Sequence, residues 1–368
     1  MITLTEEAPA MKKGKLKIGM VAPPWLCIPP KGYGGIELVV YNLAEGLTKL
    51  GHEVLLFAPE DSVTSARLIP QVPRHLGQDW GSFAKEAFSM LSAKFSFARA
   101  AYEKVDIIHD HSLYQTDLPV KAVYTMHGPA TEPAKTACRE LSRQGHSIIA
   151  ISERQRQLFG NGKINFGGVV HNSIDAKEAP FQEKKEDFIF FIGRANWEKG
   201  LDLAVRVAVK ADKRLIMAIK MTEKFEREFF AREVKPWLDK YKKHNYLTMF
   251  EVITPKEKFD LYKKAALTLF SSQWEEPFGL VMIESMACGT PVIALNRGAA
   301  PEVIVNGKTG FVVDTEEEMV QAVKKIKDID PRDCRRHVEK NFSVEKMCRE
   351  HAEIYKKVIE GGKDVAQT

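Results

Sequence analysis

The stretch that decides the fold is WEEPFGLVMIE, residues 274–284. The apolar run at residues 266–270 predicts a buried strand, and the apolar residues after Gly279 predict a helix. A strand, a tight turn and a helix in this order leave the free N–H groups of the first helical turn pointing to one place, which suits a phosphate. Glu276 precedes this helix start, and Glu284 follows it by about one and a half turns. Such a glutamate pair is also typical of a solvated helix start, so the interpretation depends on what accompanies it.

A basic loop accompanies it in the same half of the chain. Residues 188–192, FIFFI, predict a buried parallel strand, and GRANWEKG follows at residues 193–200. Arg194 and Lys199 thus leave the carboxyl end of a strand, where open α/β sheets bind their ligands. A planar guanidinium and a compact ammonium together suit a diphosphate. Lone basic residues on a loop are usually solvated, but next to an anion-binding helix start these two predict a diphosphate site.

In combination these motifs resemble the retaining, nucleotide-sugar-dependent glycosyltransferases of family 4. The resemblance implies an α/β fold of the GT-B type, with two Rossmann-like domains facing across a cleft. It extends over nearly the whole chain. The further segments that carry it are GGIE at 34–37, DIIH at 106–109, TMHG at 125–128, ACGTPVIA at 287–294, GAAPEVI at 298–304 and NGKTGF at 306–311.

The resemblance also implies the site. The catalytic candidates are His127, Arg194, Lys199 and Glu276, with His127 contacting the transferred sugar near its primary hydroxyl. The donor-binding candidates are Gly34, Gly35, Val252, Phe278, Gly279, Leu280 and Glu284. A histidine in a loop after a strand is more often structural than catalytic, and Gly34-Gly35 read alone is equally well a flexible turn. The family pattern favours function for both.

Two segments have the spacing of metal ligands. His109-Asp110-His111 places both imidazoles on one face of a strand end, but a third ligand of suitable spacing is not evident. Asp328-Ile329-Asp330 resembles the Asp-x-Asp of metal-dependent transferases, but it ends a predicted helix before Pro331. We therefore expect no metal site, no cofactor and no need for magnesium, with the nucleotide sugar as co-substrate.

Composition is that of a globular protein. The 368 residues suit two domains of ordinary size, and no stretch is apolar for long enough to span a bilayer. The five cysteines form no CxxC pair, which predicts reduced and mostly buried thiols. The net charge of +5 fits an anionic ligand, and basic stripes typical of nucleic-acid binding are absent from the sequence. We expect a cytoplasmic monomer or homodimer with at most weak peripheral membrane contact.

The predicted organisation is bipartite. Residues 1–14 are expected to form a disordered tail, residues 15–175 an acceptor domain and residues 176–343 the nucleotide-sugar donor domain, with 182–186 as linker. The C-terminal segment 344–368 is expected to complete the first domain, as in the resembled architecture. A helix predicted over residues 223–241 carries aromatic and basic residues. Its apolar side is interpreted as facing the core rather than a membrane.

The predicted reaction is transfer of a hexosyl group from a nucleoside diphosphate sugar to a hydroxyl acceptor, with a glycan or lipid-linked acceptor also possible. UDP is favoured over GDP, and the resemblance implies retention of anomeric configuration by same-face attack. Two alternatives stay open at this point. One is a sugar phosphorylase of the same architecture, and the other is a non-catalytic nucleotide-sugar-binding protein.

Overall fold

The structure is a computed structural model. It describes residues 14–32, 34–77, 82–113, 120–160, 162–241, 246–251 and 253–361, with residues 82–85 described by their backbone alone. The expected disordered tail, apart from Gly14, lies outside the described residues, and so does the donor-binding candidate Val252.

The first sheet has seven strands in the order β3-β2-β1-β4-β5-β6-β7. The strands are β1 (Lys17–Val21), β2 (Glu53–Ala58), β3 (Arg67–Pro70), β4 (Ile107–Asp110), β5 (Ala122–Thr125), β6 (Ser147–Ala150) and β7 (Phe166–Val169). The helices between them are α1 (Gly35–Lys49), α2 (Ser82–Tyr102), α3 (Glu132–Arg143) and α4 (Glu153–Phe159). Strands β1 and β2 are apolar and buried after their first residues, Lys17 and Glu53, as parallel strands covered on both faces must be.

The second sheet has six strands in the order β10-β9-β8-β11-β12-β13. The strands are β8 (Glu186–Arg194), β9 (Arg214–Lys220), β10 (Leu247–Phe250), β11 (Ala265–Phe270), β12 (Val292–Leu295) and β13 (Gly310–Val313). Its helices are α5 (Leu201–Lys210), α6 (Lys224–Phe229), α7 (Lys235–Tyr241), α8 (Pro255–Lys264), α9 (Leu280–Ala287), α10 (Ala300–Val303), α11 (Glu316–Lys325) and α12 (Pro331–Asn341). A last helix, α13 (Val344–Gly361), ends the described chain.

Two compact units are distinguished by their internal contacts. Of the described residues, the first comprises those within 14–30, 36–125 and 352–361, and the second comprises those within 31–35 and 126–351. In the first unit, the last turns of α13 lie near β4, since the hydroxyl of Tyr355 lies 2.6 Å from Nδ1 of His109. The second unit contains the whole six-stranded sheet. The domain boundary expected near residue 176 stays a prediction.

Three local predictions need correction. The helix predicted over residues 223–241 is divided, because a π-helical turn at Phe230–Val234 separates α6 from α7. Its aromatic residues do pack on the core, except Phe225, which is 52% exposed. Asp328 ends a 3-10 helical turn (Ile326–Asp328) as predicted, but Asp330 is the N-cap of α12, where its carboxylate accepts the backbone N–H of Arg332. Glu186 belongs to β8 rather than to a linker.

The histidine pair and the cysteines have structural surroundings. His109 is buried, and its Nε2 lies 2.7 Å from the hydroxyl of Thr125, so both ring nitrogens have partners. The ring of His111 lies 4.0 Å from that of His109, on the same face as predicted. All five cysteines are buried and none is in a disulfide, so the predicted burial is confirmed and the reduced state stays a prediction. Among the described helices, none has both the length and the apolar character needed to cross a membrane.

Candidate active site

The candidate site lies at the reversal point of the six-stranded sheet. The chain order of the strands reverses between β8 and β11, which are neighbours in the sheet. Outside the carboxyl ends of two such strands, the connections run in opposite directions and leave a crevice for ligands. Arg194 is the last residue of β8, and the segment with Glu276 follows β11. The fold therefore brings the two motifs of the sequence to one edge of one sheet.

Lys199 and Glu276 form an ion pair across this crevice. Nζ of Lys199 lies 2.5 Å from Oε2 of Glu276, and the side chains are 22% and 14% exposed. Nε1–H of Trp274 donates to the same oxygen at 2.7 Å. The ammonium also lies 5.3 Å from the centre of the Trp274 ring, within the range of a cation–π interaction. Two predicted site residues are thus in direct contact, and Trp274 joins them as a residue that sequence reasoning missed.

Arg194 lies between two carboxylates. Its Nη2 is 3.1 Å from Oε2 of Glu198, and its Nη1 is 3.6 Å from Oε1 of Glu226. Glu226 is fully buried, and its Oε2 accepts the backbone N–H groups of Thr222 and Glu223 at 2.9 and 3.1 Å. In the described part of the chain, its Oε1 has no hydrogen-bond partner. A buried carboxylate oxygen without a hydrogen bond leaves the Arg194 charge as its main compensation.

The start of α9 has the form that an anion site requires. Gly279 precedes the helix with φ 86° and ψ 74°, and no side chain caps the first turn. A Cβ at Gly279 would lie 2.7 Å from Cζ of Phe270 and 2.9 Å from Cε of Met282, so glycine is needed for both conformation and space. With no capping side chain and no acid in the first turn, the helix start favours an external anion.

Of the neighbouring candidates, Phe278 contributes differently from Gly279 and Leu280. Its side chain is 2% exposed and packs in the core of the second unit, where its ring lies 5.8 Å from that of His171. The side chain of Phe278 therefore packs the protein interior and is not exposed to a ligand. Leu280 is partly buried, and a Cβ built at Gly35 would lie 3.5 Å from its Cδ1, so these two candidates are neighbours within the second unit. Gly34 is partly buried and immediately precedes α1.

Glu284 is held from helix α8. Its Oε1 lies 2.7 Å from Nζ of Lys258, and its Oε2 accepts the hydroxyl of Tyr262 at 3.1 Å. Glu284 is 5% exposed and Tyr262 is fully buried. Burial, together with the charge of Glu284, raises the pKa of the Tyr262 hydroxyl well above its usual value, so the phenol stays a donor. Each carboxylate oxygen can accept a second hydrogen bond, which leaves capacity for a ligand hydroxyl.

The turn that carries Glu276 is fixed by its neighbours. Arg154 binds the carboxylate of Glu275 through two nitrogens, at 2.8 and 3.0 Å, and this pairing lowers the pKa of Glu275. Glu275 also accepts the backbone N–H of Gly298 at 3.1 Å. Gly298 has φ 53°, and a Cβ there would collide with the backbone of Glu276. The loop after β12 therefore packs directly on Glu276, which holds its backbone in place.

His127 lies just after β5 and is partly buried. Burial lowers the pKa of its imidazole to about 3, and the positive charge of His351 adds to the lowering. Burial likewise lowers the pKa of His351 to about 4. His127 is therefore neutral at physiological pH, which suits a hydrogen-bonding role and excludes a resident positive charge.

Sequence reasoning missed Glu198, Glu226, Lys258 and Tyr262. One local signal was available for Glu226, because Glu223 and Glu226 have the spacing of a capping box and form one in the structure. Lys258 and Tyr262 are four residues apart on one face of α8, which is a signal for joint action but not for its partner. The pairing with Glu284 depends on tertiary structure.

The six-stranded parallel sheet has two cations and an uncapped helix start where its strand order reverses, which is typical of an α/β protein that binds an anion. Comparison with known proteins gives the class. Residues 173–342 match the family of glycosyl transferases group 1, and residues 33–178 match glycosyltransferase family 4. The chain therefore belongs to the family 4 glycosyltransferases, with the GT-B architecture.

Several known proteins align with this chain over most of its length. The glycogen synthase of Mycobacterium tuberculosis is 25% identical over 393 residues, covering 89% of this chain and 92% of that protein. The structure of sucrose-phosphate synthase from Thermosynechococcus elongatus matches with a TM-score of 0.73 at 19% identity, over 94% of this chain and 100% of that one. Anabaena HepE in complex with UDP-glucose matches with a TM-score of 0.67 at 17% identity, over 93% of this chain and 100% of that one. At such identities the structural likeness shows the fold alone.

Proposed function

We propose that this glycosyltransferase moves a hexosyl group from a nucleoside diphosphate sugar to a hydroxyl acceptor, with retention of anomeric configuration. The observation that carries the proposal is the edge of the six-stranded sheet. There Arg194 ends β8 and Lys199 follows it, the uncapped start of α9 follows the neighbouring strand β11, and each cation is already paired with carboxylate. Such an edge matches the charge and the shape of a diphosphate.

The proposed roles follow from where charge develops. Breaking the bond between the anomeric carbon and the phosphate oxygen leaves negative charge on the diphosphate and positive charge on the sugar ring. Arg194, Lys199 and the backbone amides of Phe278, Gly279 and Leu280 stabilise the departing diphosphate as preorganised donors. The acceptor oxygen forms its bond to the anomeric carbon on the same face. Its proton passes to the departing phosphate oxygen, so atoms and charge balance.

The carboxylates divide the donor between them. Glu276 binds hydroxyls of the transferred sugar, and Glu284 binds the ribose, held in place by Lys258 and Tyr262. Neutral His127 orients the sugar by hydrogen bonding, and Gly34 and Gly35 leave room for the donor diphosphate and the acceptor.

Donor binding exchanges one set of counter-ions for another. Nζ of Lys199 lies 2.5 Å from Oε2 of Glu276, and a phosphate oxygen that binds the same ammonium competes with this contact. When the diphosphate takes over Lys199, Glu276 is released toward the sugar hydroxyls. In this proposal, the carboxylate of Glu276 becomes available to the sugar hydroxyls when the diphosphate binds Lys199. It also explains why acidic side chains surround an anion site.

UDP is the favoured nucleotide. Support comes from HepE, a protein of the same fold that was solved with UDP-glucose. The proposed leaving-group contacts are all cations and amides, so we propose that turnover needs no divalent metal and survives EDTA. Val252 is kept as a donor-binding candidate on the family pattern. We also propose a cytoplasmic enzyme, a monomer or homodimer whose acceptor is a small molecule, a glycan or a lipid-linked hydroxyl.

A donor screen with the full-length protein tests the proposal. Thermal unfolding is measured with UDP-hexoses, GDP-hexoses and the free nucleotides, because a ligand that binds only the folded state raises its stability by about 2.7 kcal/mol at a hundred times its dissociation constant. We expect stabilisation by at least one UDP-hexose and, with a suitable acceptor, a product with the donor's anomeric configuration by NMR. Turnover with orthophosphate and no nucleotide would instead establish a phosphorylase. Stabilisation without turnover for any acceptor class would favour a binding protein.

A further inference from the structure

A second cluster of reactive side chains lies in the first unit. The loops after β1, β2 and β3 bring together the thiol of Cys27, the carboxylate of Asp61 and the imidazole of His75. One possible ligand atom from each residue lies within 4.8 Å of the other two. Cys27 is 5% exposed, whereas the side chains of Asp61 and His75 are 27% and 25% exposed. The cluster therefore has a buried sulfur and a side open to solvent.

The backbone around these residues is fixed. Four hydrogen bonds connect the Cys27 loop with the loops of Asp61 and His75. They run from Leu76 N to Pro24 O at 3.1 Å, from Gly77 N to Trp25 O at 3.0 Å, from Ile28 N to Ser62 Oγ at 3.0 Å and from Val63 N to Ile28 O at 2.6 Å. Each of the three side chains is thus within two residues of a bond between loops. Their proximity is built into the fold and does not depend on flexible side chains meeting at a surface.

Asp61 and His75 also hold each other. Oδ2 of Asp61 lies 2.5 Å from Nδ1 of His75, and Oδ1 accepts the backbone N–H of His75 at 3.0 Å. Carboxylates that contact an imidazole in this way fix the ring for a metal, or become ligands themselves when the metal replaces the proton between them. The thiol of Cys27 has only a weak contact, 3.5 Å from the carbonyl of Pro29. It is therefore the most available group of the three.

We propose that Cys27, Asp61 and His75 form a binding site for a divalent cation of the zinc class. Sulfur, nitrogen and carboxylate oxygen in one cluster match the ligands of zinc, whereas magnesium and calcium take oxygen alone. Ligand atoms around tetrahedral zinc lie about 3.5 Å apart. Binding therefore moves Oδ2 of Asp61 and Nδ1 of His75 apart from their 2.5 Å contact, and it shortens the wider separations, which are at most 4.8 Å. Rotation of the two partly exposed side chains supplies that movement. The fourth position is open to water.

The site has a structural role and takes no part in sugar transfer. A cation that joins three loops binds the folded state alone, so it raises the stability of the first unit. None of its three ligands is a proposed donor-binding residue. Removal of the metal therefore changes stability and leaves turnover intact, and the two proposals can fail separately.

Cobalt titration of the full-length protein tests the site, because a Co²⁺–thiolate bond gives a charge-transfer absorption that other ligands do not. We expect one Co²⁺ per chain with this absorption, displaced by Zn²⁺, and a higher melting temperature with Zn²⁺. Cys27→Ser should abolish the absorption. Asp61→Asn, which keeps the thiol, should weaken binding by at least about 10- to 100-fold, the range found for even outer-shell partners.

Cys138→Ser is the matched control, since it alters another buried thiol and should keep both the stoichiometry and the absorption. Should Cys27→Ser fail to fold, Asp61→Asn and His75→Asn carry the test. Absence of the thiolate absorption in the wild type would overturn the proposal. So would an unchanged spectrum in Cys27→Ser.

Discussion

The two sheets share a strand order around their first strand, yet the edges that follow differ in chemistry. The order β3-β2-β1-β4 in one corresponds to β10-β9-β8-β11 in the other, so each has a reversal point. In the six-stranded sheet this edge carries Arg194 and Lys199, which are partly exposed and paired with carboxylates. In the seven-stranded sheet it carries His109, which is fully buried with partners on both ring nitrogens.

The difference shows that topology supplies a position but not a function. At the reversal point of the six-stranded sheet, Arg194 and Lys199 are paired with carboxylates that a ligand can replace. The polar groups of His109 are bonded to Tyr355 and Thr125 inside the protein, where replacement would leave buried groups without partners. We therefore expect substitutions of Arg194 and Lys199 to change catalysis more than stability. Substitution of His109 in the seven-stranded sheet should change stability more than catalysis.

The largest expected effect comes from the two cations. Arg194→Ala or Lys199→Ala should each reduce kcat/KM by at least about 30-fold, roughly 2 kcal/mol of transition-state stabilisation, because each removes a donor to the departing diphosphate. Steady-state kinetics measures this. Arg67→Ala is the matched control, since Arg67 is an arginine of the other sheet paired with Glu103, and its kcat/KM should stay within about twofold of wild type. Similar kinetics for all three variants would remove the distinction between the edges.

The next effect separates the two glutamates. Glu284→Gln should weaken UDP binding by about tenfold, because one charged acceptor of the ribose is lost. Glu276→Gln should lower turnover without weakening UDP binding, since its partner is the sugar and since its loss also frees Lys199. Calorimetry with UDP and kinetics on both variants decide this. Equal loss of UDP affinity in the two would refute the division of roles.

A smaller effect is expected from the buried partner of Arg194. Glu226→Gln keeps an acceptor for Thr222 and Glu223 but removes the charge near Arg194, so kcat/KM should fall by about three- to tenfold. In an Arg194→Ala background the same change should have little further effect, because residues in contact are coupled. The double-mutant cycle is the measurement. Additive losses in kcat/KM would show that Glu226 acts independently of Arg194 and does not position it.

The smallest expected effect is a dependence on pH. The pKa of His127 in the folded protein, about 3, lies below the usual value of 6.5, so the unfolded chain binds the proton more readily. The stability contributed by neutral His127 is present above about pH 6.5 and is lost as pH falls toward 3. Denaturant unfolding should therefore show a shallower acid decline for His127→Gln than for wild type. The pH profile of kcat/KM between pH 6 and 8 should have the same inflections in wild type and in His127→Gln. An inflection that is present in wild type and absent from the variant would contradict a neutral His127.

Much of the fold follows from strand composition. The apolar runs at residues 188–192 and 266–270 predict two strands, and the structure has them within β8 (Glu186–Arg194) and β11 (Ala265–Phe270). Strands β3 and β7 lie at the two edges of the seven-stranded sheet. Their sequences, RLIP and FGGV, lack the apolar run because an edge strand is covered less completely. Composition therefore identifies central strands better than edge strands.

The site was predictable only where chemistry is local. The uncapped start of α9 and the loop of Arg194 each follow from adjacent residues. The contact of Lys199 with Glu276 joins residues 77 positions apart, and that of Lys258 with Glu284 joins residues 26 apart. Such contacts depend on the order of the strands in the sheet, which cannot be predicted from the spacing of residues along the chain. For the same reason, the buried carboxylate of Glu226 beside Arg194 could not be found from sequence.

The most direct test of the account is a crystal structure of the full-length protein with UDP. Its central claim is that a diphosphate replaces carboxylate at the edge of the six-stranded sheet. We predict that the phosphates contact Arg194, Lys199 and the amides at the start of α9, with Nζ of Lys199 moved away from Glu276 and the ribose hydroxyls on Glu284. UDP bound elsewhere, or bound with the Lys199–Glu276 pair intact, would contradict the account.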